Sequence, residues 1–377
     1  MHRNKNIIII FPLSVIAHRT RLVKLVSIAS DLGLSISTWA WERKKGDFHK
    51  ELPIDFNDRK VLLKGGGYNS KWIKLYYPLW MFSVFFQLIL RRPKSPVYCL
   101  GFETAFPAFL ASKVTTIKYI FDDADRFSMI VNLPSALNKG VKYLERKTSE
   151  GSIINIIPGY ERYEFKNSKQ TTLKNMPDSQ ALEKSKQVNI KRPNAKVIIY
   201  VNGWMGETRG LPIILELAKR SLTSKADIHF IAAGNAKDKS ASAFIKLPNV
   251  TYLGSVENHE ALAWYRASDF IFTYYDPVIE INRYAESNKW GDGLSLKVPV
   301  IVNDEVITAN FLRENNACIS VPYHDIDALQ RALDKVLINI KHLDLMKKNI
   351  SQIHAEIKYF DAGMKTILQK VYYEKAS

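Results

Sequence analysis

The run Asn288-Lys289-Trp290-Gly291-Asp292-Gly293-Leu294-Ser295-Leu296-Lys297-Val298-Pro299-Val300-Ile301-Val302 carries the sequence's strongest structural signal. Its polar start opens a helix, and Asp292 falls in the first turns. Pro299 ends that pattern, and residues 300–302 read as a strand buried on both faces. A helix delivered straight into a buried strand is half of a β-α-β unit in a parallel sheet.

The same alternation extends outward. Upstream, residues 196–201, 227–233, 250–253 and 270–274 read as strands, several ending at glycines such as Gly234 and Gly254. Helical patterns lie at 211–220 and 260–267, and downstream at 326–338 and near 359–373. Residues 166–193 are polar, rich in Lys, Ser, Gln and Asn, and read as a linker. Before them a second alternating run begins with four isoleucines, residues 7–10, followed by a helix, Gly33 and a strand at 34–39. Strands at 97–100, 118–121 and 153–157 alternate with helices at 104–112 and 138–148. The expectation is an α/β chain of two Rossmann-like parallel-sheet domains, residues 1–180 and 181–355, facing across a cleft. Ligands of open parallel sheets bind beyond the carboxyl ends of the strands, so the cleft is the expected site.

Length and composition agree with two globular domains: 377 residues, 46% hydrophobic and 24% charged. Two distant cysteines, Cys99 and Cys318, indicate no disulfide framework and suit a reducing, cytoplasmic compartment. The net charge of +17 is uneven. Residues 1–180 carry 28 Lys and Arg against 15 Asp and Glu, and the remainder 26 against 22. An anionic membrane surface is favoured over nucleic acid as partner, because no zinc-ligand spacing or RNA-binding aromatic signature accompanies the charge. A basic solvated surface is the plain alternative. Arg3 and Lys5 before the apolar run 7–17 faintly resemble a signal peptide, but the isoleucines read better as a strand. A second apolar run, residues 75–90, is interrupted by Pro78 and Gln87 and is short for a span. With Lys71, Lys74, Arg91, Arg92 and Lys94 at its flanks and Trp72, Tyr76, Tyr77 and Trp80 nearby, it suits a membrane interface. A helix packed on the N-terminal sheet explains it as well.

Three groups of residues carry chemistry. Asn202-Gly203-Trp204-Met205-Gly206-Glu207-Thr208-Arg209-Gly210 follows a strand and leads into a helix. Glycines admit a ligand close to the backbone, and an Arg beside a helix start suits a diphosphate. The spacing is not the dinucleotide fingerprint G-x-G-x-x-G. A structural turn with a surface Arg is the rival reading. Second, amides near Asn288 and Lys289 could hold phosphate while Asp292 accepts bonds from ribose hydroxyls; otherwise Asp292 is a helix-dipole acid. Third, Asp122-Asp123-Ala124-Asp125 follows a strand. It could bind a divalent metal and diphosphate, but lining an acceptor pocket or capping a helix is preferred, so no metal or other cofactor is expected.

The chain resembles the retaining GT-B glycosyltransferases, in particular the family 4 group. That group's pattern is "N-K-L-F-E/D-Y-M-A-x-G-x-P-V-I", and Asn288, Lys289, Asp292, Pro299, Val300 and Ile301 match it. Residues 249–256, 260–262 and 265–269 are similar to "N-V-x-F-L-G-x-V…E-L…Y-x-x-A-D". Arg209-Gly210 resembles the "K/R-G" phosphate site. Looser likenesses include His18 to Arg21 with "D-P-R-V-x-R", Leu144-Glu145-Arg146 with "L-E-R/K", Asp122 to Asp125 with "Y-D-x-H-D", and Asn175-Met176-Pro177 with "N-G-x-D". The resemblance implies a last helix, within 356–377, that crosses back to the N-terminal domain. It implies donor contacts at Gly203, Arg209, Gly210, Gly234, Asn288, Lys289 and Asp292. Arg209 and Lys289 would stabilise the leaving group, and acceptor contacts would fall at His18, Asp122, Asp123 and Asp125. Three positions depart from the family. Tyr284 stands where its first acid contacts the sugar, with Glu280 or Glu286 as substitutes by a register shift; Lys297 replaces the glycine before Pro; Pro12-Leu13-Ser14 replaces a Gly-Gly loop.

The implied reaction moves a hexose, with galactose the specific expectation, from a UDP-linked donor to a lipid-linked glycan. Such enzymes build O-antigen, lipopolysaccharide or other surface polysaccharide, peripherally at the inner face of the cytoplasmic membrane. Rival readings are a UDP-sugar epimerase on the same scaffold, a non-catalytic nucleotide-sugar-binding partner, and a nucleic-acid binder motivated by charge alone.

Overall fold

A computed structural model describes residues 5–13, 15–16, 19–47, 55–68, 73–131, 133–224 and 226–374. The chain divides into two compact units, one of Met1–Leu173 with Asp361–Ser377, the other of Lys174–Phe360.

In the N-terminal unit the strands are β1 (Asn6–Phe11), β2 (Ser35–Glu42), β3 (Asp58–Lys64), β4 (Val97–Leu100), β5 (Tyr119–Asp122), β6 (Ile154–Ile157) and β7 (Gln170–Thr172). They pair in parallel in the order β3-β2-β1-β4-β5-β6-β7. The helices are α1 (Thr20–Asp31), α2 (Ile73–Arg91), α3 (Phe102–Val114), α4 (Phe127–Ile130) and α5 (Ser135–Gly151). Ile7, Ile9 and Ile10 have no exposure, as a strand covered on both faces requires. The last helix, α15 (Phe360–Tyr372), joins this unit from Asp361 onward. Tyr372 donates to the Pro96 carbonyl at 2.8 Å, and Tyr373 to that of Leu32 at 2.5 Å.

The C-terminal unit holds β8 (Val197–Trp204), β9 (Ile228–Asn235), β10 (Val250–Tyr252), β11 (Phe270–Phe272), β12 (Val300–Asn303) and β13 (Cys318–Val321), also parallel. Their order is β10-β9-β8-β11-β12-β13. The helices are α6 (Ser179–Lys186), α7 (Leu211–Ser224), α8 (Lys239–Phe244), α9 (Asn258–Arg266), α10 (Glu280–Arg283), α11 (Asn288–Leu296), α12 (Asn310–Glu314), α13 (Ile326–Ile338) and α14 (Lys341–Glu356). Its core joins Val197, Ile199, Phe230 and Ile301 from the sheet to Ile214, Leu217 and Leu333 from the helices.

Two stretches differ from the sequence reading. The polar run 166–193 is not a bare linker, because it contains β7 and α6. Asp178 caps α6, accepting from Ala181 N at 2.6 Å, and α6 packs on α9. The sequence reading also passes over β3. Its residues, Asp58-Arg59-Lys60-Val61-Leu62-Leu63-Lys64, are mostly half-exposed because the strand pairs only with β2 at the sheet's edge.

Buried charges brace the N-terminal sheet. Asp122 is fully buried at the end of β5, and Arg21 Nε donates to both its oxygens at 3.0 and 2.8 Å. Tyr98 OH donates to the same carboxylate at 2.5 Å. Arg126 Nε donates to Glu145 Oε2 at 3.0 Å, and Glu145 Oε1 accepts from Ser128 N at 2.8 Å. Removing one partner of such a pair strands the other charge away from water. Asp122→Ala is therefore expected to lower unfolding free energy by about 3 kcal/mol, measured by urea titration. Surface substitution of Glu183, in an exposed pair with Lys186 at 2.6 Å, should change it by less than about 1 kcal/mol.

Candidate functional site

Both sheets follow the order three-two-one-four-five-six, which reverses between their first and fourth strands. Loops leaving those two strands run in opposite directions and leave a gap at the sheet's carboxyl edge. In the C-terminal unit the reversal lies between β8 and β11.

The loop after β8 depends on glycine. Gly203 has φ +91°, Gly234 at the end of β9 has φ +116°, and Gly210 has φ +72°. A Cβ at Gly234 would lie 2.1 Å from the Gly203 carbonyl oxygen, and one at Gly210 would lie 2.3 Å from Tyr274 Cβ. No side chain fits at either place. Between Gly203 and Gly210 a turn of 3-10 helix, Glu207–Arg209, carries Arg209 to the reversal point. Its Nη1 donates to Asn282 Oδ1 at 3.1 Å, from the other loop, and its guanidinium lies 4.6 Å from the Tyr275 ring centre. Asn303 holds Tyr275 in turn, its side chain accepting from Tyr275 N at 2.9 Å and donating to Tyr275 O at 3.1 Å.

Helix α11 supplies the second cation. Ser287 caps it, its hydroxyl accepting from Lys289 N at 3.3 Å. Trp290 Nε1 donates to Thr273 Oγ1 at 3.2 Å, tying the helix to the end of β11. A Cβ at Gly291 would lie 2.1 Å from the Asn175 carbonyl oxygen, so the helix and the 174–176 segment meet backbone to backbone. Lys297 closes the helix in the left-handed region, φ +58°.

These constraints gather Gly203, Arg209, Lys289 and Asp292. A Cβ at Gly203 would come 4.0 Å from Lys289 Cε. Burial pushes the half-buried Lys289 ammonium down to about 8, Arg209 pushes the same way, and Asp292 opposes them. Behind them Tyr265 OH donates to Asn202 Oδ1 at 3.1 Å. Burial, then Asp292, raises the phenol of Tyr200, and the same two causes act on Tyr265. Two cations beside the positive end of a helix can bind an anion, and the acid one turn on can accept from hydroxyls.

The remaining candidates are dispersed. Asn288 is exposed as the first residue of α11. Glu280 is exposed at the start of α10, and Tyr284 closes that helix half-buried. The Glu286 side chain is buried, 3.9 Å from Lys174 Nζ, and its carbonyl accepts from Asn175 Nδ2 at 3.0 Å.

In the N-terminal unit a pocket of about 280 Å³ opens at the corresponding reversal between β1 and β4. Arg19, Arg43, Tyr77, Glu103, Asp125 and Phe127 line it. Burial pushes the Glu103 carboxyl up to about 7 against the pull of its own backbone N–H and of Arg43 and Arg19. Of the three aspartates named from sequence, Asp125 faces this pocket, 3.6 Å from Arg19 Nη1. Asp122 is taken up by Arg21 and Tyr98 as described, and Asp123 is buried and accepts from Tyr163 OH at 2.7 Å. Burial, then Glu145, raises the Asp123 carboxyl. His18 lies outside the described residues. Sequence reading missed Asn282, Tyr275 and Asn303, which set the pose of Arg209; a polar Asn directly ending the apolar strand β12 was the available signal for Asn303.

No protein-family model matches the sequence, and no curated protein matches it either. Solved structures do match over nearly the whole chain. A glycosyltransferase from Rickettsia africae is similar with TM-score 0.68 at 13% identity, over 99% of this chain and 100% of that one. WaaG, a glycosyltransferase involved in lipopolysaccharide biosynthesis, gives 0.61 at 11%, covering 98% and 100%. A putative UDP-N-acetylglucosamine 2-epimerase from Listeria monocytogenes gives 0.64 at 13%, covering 98% and 96%. The architecture is thus the GT-B fold, two Rossmann-like parallel-sheet units with the final helix returning to the first.

Lys297 tests how α11 is seated. An L-residue in the left-handed region is strained where glycine is not. Lys297→Gly should stabilise the protein by about 0.5–1 kcal/mol in denaturant unfolding, with the helix position unchanged.

Proposed function

We propose that the protein is a retaining glycosyltransferase that takes a hexose from a nucleotide-sugar bound by its C-terminal unit. The observation that carries this is the grouping of Arg209, Lys289 and the start of α11 around the glycine-bounded end of β8. Such a site suits a diphosphate, and Asp292 beside it suits the ribose hydroxyls. In the reaction the bond between the sugar's anomeric carbon and the diphosphate oxygen breaks. The acceptor hydroxyl bonds to that carbon on the same face, and its proton passes to the departing phosphate. Negative charge grows on the leaving diphosphate, where Arg209 and Lys289 would stabilise it without help from a metal. No protein nucleophile is assigned.

The donor we favour is UDP-linked, with galactose as the sugar. The acceptor we favour is a lipid-linked glycan of O-antigen or other surface polysaccharide, met by the basic residues 1–180 at the cytoplasmic face of a membrane. Asp125 and Glu103 in the N-terminal pocket are the acceptor contacts we favour. The likeness to an epimerase supports a second reading, in which a UDP-sugar is converted with no acceptor present. Tyr284 in place of an acid keeps a third, a binding partner without turnover.

Nucleotide binding tests the common part of these readings. A thermal-shift screen of UDP, GDP, ADP and their sugars, with and without EDTA, should show one nucleotide series raising Tm, unaffected by EDTA. Arg209→Ala and Asp292→Ala should each weaken that nucleotide about tenfold or more with the fold intact. Wild-type affinity in both would remove the assigned site. Product analysis then separates the readings: transfer to an acceptor, acceptor-free epimer, or neither.

The depressed Lys289 gives the pH dependence two opposite signs. Between about 8 and its ordinary 10.5 the unfolded chain holds more proton, so unliganded stability gains as pH rises through that window. Nucleotide diphosphate needs the charged form, so its affinity should fall as pH rises through 8. Calorimetry across that range should show the fall in wild type and a flatter profile in Lys289→Arg.

A further inference from the structure

Helix α2 wears an unusual outer face. Trp80, Val84 and Leu88 have no exposure and lie on one side, packed into the N-terminal core. At 3.6 residues per turn the opposite side carries Leu75, Leu79, Phe82, Phe86 and Leu90. All five are exposed, from 52% at Leu79 to 79% at Leu90. Phe82 and Phe86 stack at 6.4 Å, so the stripe is continuous through its middle. Helix α3 packs along α2 and adds Leu110 and Val114, also exposed and one turn apart. The stripe from Leu75 to Leu90 runs about 22 Å at 1.5 Å per residue.

Charge around the stripe has one sign. Lys74, Arg91, Arg92 and Lys94 are exposed at its ends, and residues 73–102 contain no Asp or Glu. Lys113 is exposed beside Leu110 and Val114. The helix is long and apolar enough to cross a membrane by composition. Its inner face rules that out in the folded unit, because a spanning α2 would have to pull Trp80, Val84 and Leu88 out of the core. An apolar stripe at the surface of a fixed helix, flanked by cations, suits a helix lying flat at an acidic lipid interface.

We propose that the outer face of α2, with Leu110 and Val114 of α3, seats the N-terminal unit on an acidic phospholipid bilayer. Leu79, Phe82 and Phe86 enter the acyl boundary, and Lys74, Arg91, Arg92 and Lys94 meet the headgroups. This deepens the lipid-linked acceptor proposed above and rests on that reading only for its purpose; binding itself needs no turnover.

The test is sedimentation of the full chain with vesicles, without nucleotide. Phosphatidylcholine vesicles containing phosphatidylglycerol should bind the protein at least about tenfold better than phosphatidylcholine alone, with the preference lost in high salt. The Leu79→Gln/Phe82→Gln double variant should lose about tenfold or more of that binding. Arg91→Gln/Arg92→Gln should lose the preference for the acidic lipid. Both variants should retain the wild-type Tm and the wild-type nucleotide response, which keeps this test separate from that of the donor site. Equal binding by wild type and the Leu79/Phe82 variant, or no binding to either vesicle, overturns the proposal. A concentration-dependent dimer abolished by Phe82→Gln would instead assign the face to a second copy of the chain.

Discussion

All-parallel pairing is the constraint from which the rest follows. A parallel strand cannot be reached by a tight turn, so every connection must cross back over a sheet face. Each sheet then has an amino edge and a carboxyl edge that are chemically different. In both units the order reverses beside the first strand, between β1 and β4 and again between β8 and β11. The loops after those strands diverge and cannot fill the space they leave. That space holds Arg209, Tyr275 and Asn282 in one unit and the pocket of Arg19, Glu103 and Asp125 in the other.

What fills the two spaces differs in its electrostatics. In the N-terminal unit several buried charges meet full opposite charges at short range: Arg21 with Asp122, and Arg126 with Glu145 and Glu164. Those pairs brace the strand ends. Arg209 is posed by uncharged groups instead, an amide oxygen and an aromatic face. Its positive field therefore persists, and it adds to burial, the larger cause, in lowering the Lys289 ammonium. An arriving dianion would attract both cations, offsetting their mutual repulsion and the desolvation of Lys289, and that attraction is stronger away from bulk water.

Local pattern made much of the fold legible, and its failures have a common cause. Strands buried on both faces, such as β1, β4 and β12, show as unbroken apolar runs. The amphipathic α13 shows through its period. By contrast β3 and β7 are edge strands whose half-solvated residues read as polar loop. The candidate site divides similarly. Gly203, Arg209, Lys289 and Asp292 stood out because turn, charge and helix start are local signals. Asn282 and Asn303 did not, because each matters only through a partner brought from a distant position, Arg209 and Tyr275. Residues 122–125 read as one acidic cluster, yet only Asp122 lies in β5, and the loop that follows hands the other carboxylates to different neighbours.

The seat of α11 is set in two physical ways. At Lys297 the torsion that glycine would adopt freely is retained by a lysine, at a strain of about 1 kcal/mol. That is a local cost and leaves the helix where it was. Gly291 and Gly293 are the reverse case, places where the absence of a side chain is required. A Cβ at Gly291 would strike the Asn175 carbonyl at 2.1 Å, and one at Gly293 would meet that of Val298 at 2.7 Å. Backbone cannot give way as a flexible side chain can, so no larger residue fits without moving α11. The helix that carries Lys289 and Asp292 is thus drawn in against the 174–176 segment more closely than any side chain at Gly291 would allow. Lys289 and Asp292 then owe their depth at the carboxyl edge to two missing side chains as much as to their own identities.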